Sequence, residues 1–432
     1  MLDPPFGLRH WTLTDEIPRR MPILDRWLER AAQDRPLAGM TVLMIQHQLG
    51  NHVPEAQALI DLGVAPRNIY WIDIPYSSTV AVRASVNAMG IPAGNMRVSD
   101  FRVLDSYAPF QRSRVQRFLL ELFENAPDRL LVLDDGSHML EALAGLRRRR
   151  RPRVAIVEQT TRGLIKIEES AVLTRCSEQV PVVNVARSRP KRVLEPPFIG
   201  IAVTEALQRR LGAVLPAAPN ERCLVLGFGA IGQQVATFVS RLQGFSRRRV
   251  HVYDTVKSRM RRAKAAGFSL WERDPRVRFK IVIGCSGRSS FTVGDWVFLA
   301  DGAFLASASS GTVELSREHF IELADTNPHD DVWIDRNGLD ESRVHSDLHF
   351  HFVDRGATFV NGGFPVNFDG RVNSIPAHYI QPTPTMMCAA AVQAAQTTRK
   401  GLLALDPGFS RWLETQFRAE LGDEARLLHS PS

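Results

Sequence analysis

The sequence predicts an α/β protein built from two doubly wound, parallel-sheet domains, and three observations carry that prediction. Short apolar, β-rich runs recur along the chain with helical patterns between them. Such runs are apolar throughout rather than alternating, which is the pattern of strands covered on both faces. One run leads directly into a glycine-rich turn that opens a helix, and the 432 residues suffice for two or three domains at ~150 residues each.

Taken in order, the first element is a helix beginning at Pro22. Proline suits an opening turn, and Ile23, Leu24, Trp27, Leu28 and Ala31 recur at helical spacing before Pro36 stops the pattern. Strands are expected at Thr41–Gln46, Ile69–Ile74, Leu130–Leu133, Val154–Val157 and Val182–Val185. An amphipathic segment, Val203–Leu211, and the turn-like Pro216-Ala-Ala-Pro219-Asn220 mark a junction over 198–220. Beyond it, strands are expected at Cys223–Leu226, His251–Tyr253, Lys280–Ile283 and Ala303–Ala306.

Composition excludes several classes. With 44% hydrophobic and 23% charged residues the chain is not disordered. No stretch nears the ~18 uninterrupted apolar residues of a membrane span, and the opening MLDPPFGLRHWTLTDEIPRR has no apolar leader, so a soluble cytoplasmic protein with reduced thiols is expected. Cys176, Cys223, Cys285 and Cys388 show neither a metal nor a disulfide spacing and read as packing residues. The net charge of +8 owes much to Arg147 to Arg151 and Arg153. That run has no interleaved aromatics and reads as a solvated loop, which disfavours nucleic acid as a partner. His349 and His351 share a strand face in VHSDLHFHFVD, but no carboxylate or thiol completes a metal site there, and none is assigned. His47 and His52 flank a loop that follows a strand, a usual location for ligand groups.

The strongest motif is CLVLGFGAIGQQV. Gly227, Gly229 and Gly232 allow a tight turn and close approach of the backbone to a pyrophosphate, which the helix N-terminus then stabilises. Asp254 ends the next strand, VHVYD, where a carboxylate accepts hydrogen bonds from both hydroxyls of a cofactor ribose and repels a 2′-phosphate. NAD is therefore the expected cofactor, although Arg259 stands near the same position.

A dinucleotide domain in mid-chain, after another α/β region, narrows the options. The chain resembles the S-adenosylhomocysteine hydrolase family through Met21-Pro22-x-Leu24, Arg35-Pro36-Leu37-x-Gly39, Ile45-Gln46-His47, Leu62-Gly63, Gly90-Ile91-Pro92 and Leu133-Asp134-Asp135-Gly136. The likeness continues in Glu158-Gln159-Thr160-Thr161-x-Gly163, Pro181-x-x-Asn184-Val185 with Lys191, the glycine loop, and Val360-Asn361-x-Gly363. The resemblance implies a substrate domain formed by both chain ends around a central Rossmann-like NAD domain, with a hinge closing the cleft and a homo-oligomeric assembly. The corresponding boundaries are 1–197 plus 362–410 for the substrate domain, 198–361 for the NAD domain and 411–432 for a tail.

In that family bound NAD oxidises the 3′-hydroxyl of a nucleoside, the thiol at C5′ is eliminated, water adds, and the ketone is reduced again. By resemblance, Asp135 matches the active-site aspartate, Lys191 the proposed base at the hydroxyl with Glu195 beyond it, and His47 the adenosine-side histidine. Thr160, Thr161 and Asn361 match residues that touch NAD. A lysine is a sensible base for an alcohol being oxidised when its surroundings lower its pKa.

The departures are chemical. Gln159 stands where the family has a catalytic glutamate, Glu195 where it has an aspartate, and Gly200 where it has a cysteine near the nicotinamide. Ser310 and Phe368 fall where two histidines are expected, and neither moves protons near neutral pH as an imidazole does. Leu49 and Ser-Ser-Thr-Val at 77–80 alter the substrate side, and Arg418–Ser432 lacks the family's C-terminal lysine and tyrosine. Three functions stay open on this reading: a nucleoside-oxidising enzyme that hydrolyses S-adenosylhomocysteine, an oxidoreductase or epimerase acting on another nucleoside or polyol without elimination, and a catalytically silent NAD-binding partner protein.

Overall fold

A computed structural model describes residues 7–125, 127–146, 152–212, 221–326, 332–352 and 355–428. Arg147 to Arg151 and the Pro216–Asn220 turn lie outside them. The chain divides into two units, Met1–Ser99 with Ala108–Glu195 and Gly370–Ser432, and Asp100–Tyr107 with Pro196–Asp369.

The first unit is built on a seven-stranded sheet. Its strands are Thr41–Gln48 (β1), Ile69–Ser78 (β2), Met96–Arg97 (β3), Arg129–Asp134 (β4), Arg153–Glu158 (β5), Pro181–Asn184 (β6) and Gly401–Ala404 (β15). Their spatial order is β3-β2-β1-β4-β5-β6-β15, and every pairing is parallel. Chain order reverses between β1 and β4, so the crevice at their carboxyl ends is the topological switch point, where such sheets bind ligands. The predicted first helix forms over Pro22–Ala31.

The second unit carries an eight-stranded sheet. Its strands are Cys223–Leu226 (β7), Val250–Tyr253 (β8), Ser269–Leu270 (β9), Phe279–Gly284 (β10), Leu299–Ser307 (β11), Val332–Asp335 (β12), Leu348–Phe352 (β13) and Arg355–Phe359 (β14). The order β9-β8-β7-β10-β11-β14 is again doubly wound, with its switch point between β7 and β10. Leu224, Leu226, Phe279, Val282, Leu305 and Phe359 pack on one face, and Val225, Val235, Val239, Val252 and Ile283 on the other.

All nine predicted strands form, and the second sheet carries two further strands that depart from its parallel pattern. β12 and β13 extend the second sheet in antiparallel fashion. The reason lies in burial: along β13, Leu348 and Phe350 are buried while His349 is exposed, and a strand with one wet face suits an antiparallel edge.

Two segments also sit differently from the sequence-based boundaries. Residues 407–428 form a helix, Pro407–Leu421, and a short 3-10 turn in the first unit, with Leu413, Phe417 and Leu421 buried at helical spacing. Residues 100–107 belong to the second unit, where Val103 joins the core and the fully buried Arg317 donates to the carbonyls of Val103 and Asp105.

Candidate active site

In the second unit the glycine turn leaves β7 and opens the helix Ala230–Val239. Gly227 has φ +96°, and a side chain there would meet the backbone after β10 at 2.8 Å. A Cβ on Gly232 would lie 1.9 Å from the Gly227 carbonyl oxygen, so only glycine lets the helix approach the strand this closely. Gly229 is different. Its φ of −74° is ordinary, and the nearest atom to an added Cβ is Arg259 Nη1 at 4.0 Å.

The space above the helix N-terminus is thus open, and Gly229 caps the helix without a side-chain acceptor, leaving first-turn N–H groups to a ligand. Asp254, at the end of β8, accepts from Phe228 N at 2.7 Å and Val256 N at 2.8 Å, and pairs with Arg259 at 3.2 Å. The cradle and the carboxylate beside it fit the pyrophosphate and ribose of a dinucleotide.

In the first unit the polar groups gather at the switch point. Asp135 N donates to Ile45 O at 3.0 Å, carrying the β1–β4 ladder one step past the strand and bringing Asp135 beside His47. The turn behind it is fixed by two buried carboxyl groups. Asp134 accepts from His138 N and Met139 N, while Glu158 accepts from Gly136 N, Ser137 and Thr160. Burial raises both carboxyls above their ordinary values.

His47 Nε2 lies 3.0 Å from Asp135 Oδ2, and its Nδ1 hydrogen-bonds Ser77 Oγ. Both ring nitrogens are thereby engaged, which makes His47 an orienting group for Asp135. Burial alone would raise the Asp135 carboxyl, but the charge and hydrogen bond of His47, with Lys191 beyond, hold it below the usual value. Asp135 Oδ1 is buried and accepts no hydrogen bond among the described residues.

Lys191 stands on the short helix Arg189–Leu194, whose start is capped by Ser188. Its side chain is only 15% exposed and its amine lies 2.5 Å from Glu195 Oε2, so it is no surface lysine. Its charge bears on Asp135, His52 and Glu55. His47, Asp135, Lys191 and Glu195 therefore belong to one buried polar cluster of the first unit.

Of the residues matched to NAD contacts, Thr160 and Asn361 already have partners within the protein. Thr160 caps the helix Thr161–Glu169, accepting from Gly163 N at 3.0 Å and donating to Glu158 at 2.8 Å. Thr161 is exposed. Asn361, in the second unit with φ +56°, accepts from Arg210 and His345 at 2.9 Å each and donates to the carbonyls of Pro365 and Phe368. Gly200 lies in the helix Pro196–Leu211, where a Cβ would come within 2.6 Å of Gln234 Cβ, so its role is close helix packing. His349 hydrogen-bonds Thr358 and His351 stacks on Trp333; among the described residues no group of three metal-ligating side chains occurs.

His52 joins the cluster, as its loop position suggests. Burial, with His47 and Lys191 nearby, draws it down to about 3, so its imidazole is neutral. Two further buried members, Gln46 as a functional side chain and Glu55, are not picked out by sequence reasoning. Burial pushes Glu55 up to about 8 against the opposing influence of Gln46 and Lys191. A signal existed in the sequence: a glutamine inside a strand apolar on both faces needs a polar partner.

No protein-family model matches the chain. An uncharacterized protein of Mycobacterium tuberculosis, found in two strains, is 31% identical over 363 residues, which are 81% of this chain and 62% of that protein. This chain thus spans less than two thirds of those relatives' length. The adenosylhomocysteinase of Thermotoga maritima is 25% identical over 322 residues, 71% of each chain. The S-inosyl-L-homocysteine hydrolase of Methanococcus maripaludis is 22% identical over 312 residues, 71% of this chain and 69% of that one. Among solved structures, a dipicolinate synthase of Bacillus halodurans aligns at TM-score 0.35 and 11% identity, over 65% of this chain and 85% of that one. The chain is a two-sheet α/β protein of Rossmann type with distant sequence similarity to adenosylhomocysteinase.

Proposed function

We propose that the protein is an NAD-dependent enzyme of the adenosylhomocysteinase kind that oxidises a secondary alcohol on a nucleoside-type substrate. The observation that carries this reading is the cluster at the switch point of the first unit, where a buried, unpartnered carboxylate oxygen and a buried lysine–glutamate pair lie within reach of each other's charge. Asp135, held ionised and oriented by His47, accepts a sugar hydroxyl at Oδ1. The Lys191–Glu195 pair takes up the alcohol proton. NAD, held at the Gly227–Gly232 turn with its ribose on Asp254, supplies the hydride acceptor when bound.

A second reading, oxidation without elimination, is favoured by Ser310 and Phe368, which offer no imidazole to move the further protons. The two separate in one assay. Purified protein is incubated with S-adenosylhomocysteine and a thiol reagent while NADH absorbance is followed. Released homocysteine supports the full hydrolysis, and NADH without homocysteine supports oxidation alone. Neither signal, with S-adenosylhomocysteine or a nucleoside panel, rejects both and leaves a silent NAD-binding protein. Mass spectrometry of small molecules released on denaturation identifies the cofactor.

A further inference from the structure

The carboxylate that ends β8 is covered by a cation. The Asp254 side chain is 4% exposed, whereas that of Arg259, in the first turn of the helix Lys257–Ala265, is 41% exposed and lays its Nη1 3.2 Å from Asp254 Oδ2. The same Nη1 is the atom nearest to a Cβ placed on Gly229, at 4.0 Å. The guanidinium therefore spans the ribose carboxylate and the edge of the glycine turn, and a ligand meets it before it meets Asp254.

Hydrogen-bonding capacity points the same way. A carboxylate offers about four acceptor positions. Asp254 commits three of them within the protein: Oδ2 accepts from Phe228 N at 2.7 Å and from Arg259, and Oδ1 accepts from Val256 N at 2.8 Å. While Arg259 stays in place, the position that is left cannot serve both hydroxyls of a ribose. The guanidinium, with about five N–H donors, has Asp254 as its one partner among the described residues. Charge follows suit, because the Asp254–Arg259 pair is neutral and the exposed Arg262 lies a further turn along the same helix face. A bare carboxylate at this place turns a 2′-phosphate away; one capped by an arginine does not.

We propose that Arg259 makes the adenosine end of the cofactor site a phosphate-accepting one, so that the protein binds NADP as well as NAD. With NAD, Asp254 Oδ1 accepts from one ribose hydroxyl and the guanidinium donates to the oxygen of the other. With NADP, the guanidinium turns from Asp254 Oδ2 and donates two N–H groups to the 2′-phosphate, the forked geometry that arginine presents and lysine lacks. The inference rests on the dinucleotide reading of the glycine turn and concerns the cofactor alone, whatever the alcohol substrate.

Calorimetry on the full chain compares NAD with NADP, and adenosine 5′-phosphate with adenosine 2′,5′-bisphosphate as fragments that report the adenosine end. NADP is expected to bind within about tenfold of NAD. Arg259→Ala should weaken NADP and the bisphosphate about 30-fold, the weight of a charge-assisted pair, and NAD and the monophosphate by less than about fivefold. Arg259→Lys keeps the charge without the fork and should recover only part of the NADP loss. Added salt should weaken NADP more steeply than NAD in the parent and equally in Arg259→Ala. Thermal unfolding of each variant checks that the fold is kept, as the exposure of Arg259 leads one to expect. NADP more than about tenfold weaker than NAD in the parent, or an Arg259→Ala variant that weakens both dinucleotides alike or neither, overturns the inference and leaves the NAD reading standing. If neither dinucleotide binds, the cofactor reading itself fails and the inference falls with it.

Discussion

Two alanine substitutions one helical turn apart separate a cofactor cradle from a mere packing turn. At Gly229 the backbone angles suit alanine and the new methyl group lies no nearer than 4.0 Å to any neighbour, so the folded protein should lose nothing. By restricting the unfolded chain the change should stabilise by roughly 0.5 kcal/mol. That methyl group occupies the space a pyrophosphate oxygen needs over the helix N-terminus, and a cost of roughly 2 kcal/mol there weakens NAD about 30-fold. At Gly232 the Cβ would stand 1.9 Å from the Gly227 carbonyl oxygen, over an ångström inside contact distance. The helix Ala230–Val239 must lift off β7, disturbing Val235, Ala236 and Val239, at roughly 3 kcal/mol. Thermal unfolding and calorimetric NAD binding, measured on both variants, give the pattern: Gly229→Ala loses affinity alone, Gly232→Ala loses both. A Gly229→Ala protein that binds NAD as tightly as its parent shows that the turn serves only packing and removes the hydride acceptor from the proposed chemistry.

Glu55 also shapes stability against pH. Its folded pKa, about 8, lies above its ordinary 4.5, so the native state holds the proton more tightly and stability falls as pH rises from about 4.5 to about 8. Glu55→Gln should flatten that slope by on the order of 4 kcal/mol over the window in urea titrations, and an unchanged slope contradicts the burial argument. Arg317→Leu strands the Val103 and Asp105 carbonyls and should cost about 3 kcal/mol in the same titration, with a loss under about 1 kcal/mol counting against the buried latch. Lys191→Ala should slow NADH formation with adenosine by about 10²-fold or more while unfolding within about 1 kcal/mol of the parent. Undiminished turnover removes Lys191 from the proton path.

Much of the framework could be read from residues alone because parallel strands buried on both faces announce themselves as unbroken apolar runs. Thr41–Gln46, Cys223–Leu226 and Lys280–Ile283 are such runs. The edge strands β3 and β9 escaped because they have two residues each, too few for a pattern, and β15 because it follows the polar stretch 397–400. The glycine turn was legible because its three glycines meet distinct steric demands that only a strand–turn–helix imposes. His47, Asp135 and Lys191 were named by resemblance; their spacing along the chain contains nothing that brings them together, since the switch point that does so is a property of strand order. Glu55 lay in what reads as an ordinary amphipathic helix start, and only burial marks it as part of the site.

The short strap of residues 100–107 has a practical consequence. Because the second unit is assembled from that octet and from Pro196–Asp369, no single contiguous fragment of the chain contains all of it without the first unit's residues between. A clone starting at Pro196 would strip the fully buried Arg317 of both backbone acceptors and leave Val103's place in the hydrophobic interior vacant. Anyone dissecting the protein into pieces for crystallisation or binding assays should supply the octet as a fused or added peptide, since the bare fragment's insolubility would be a property of the cut.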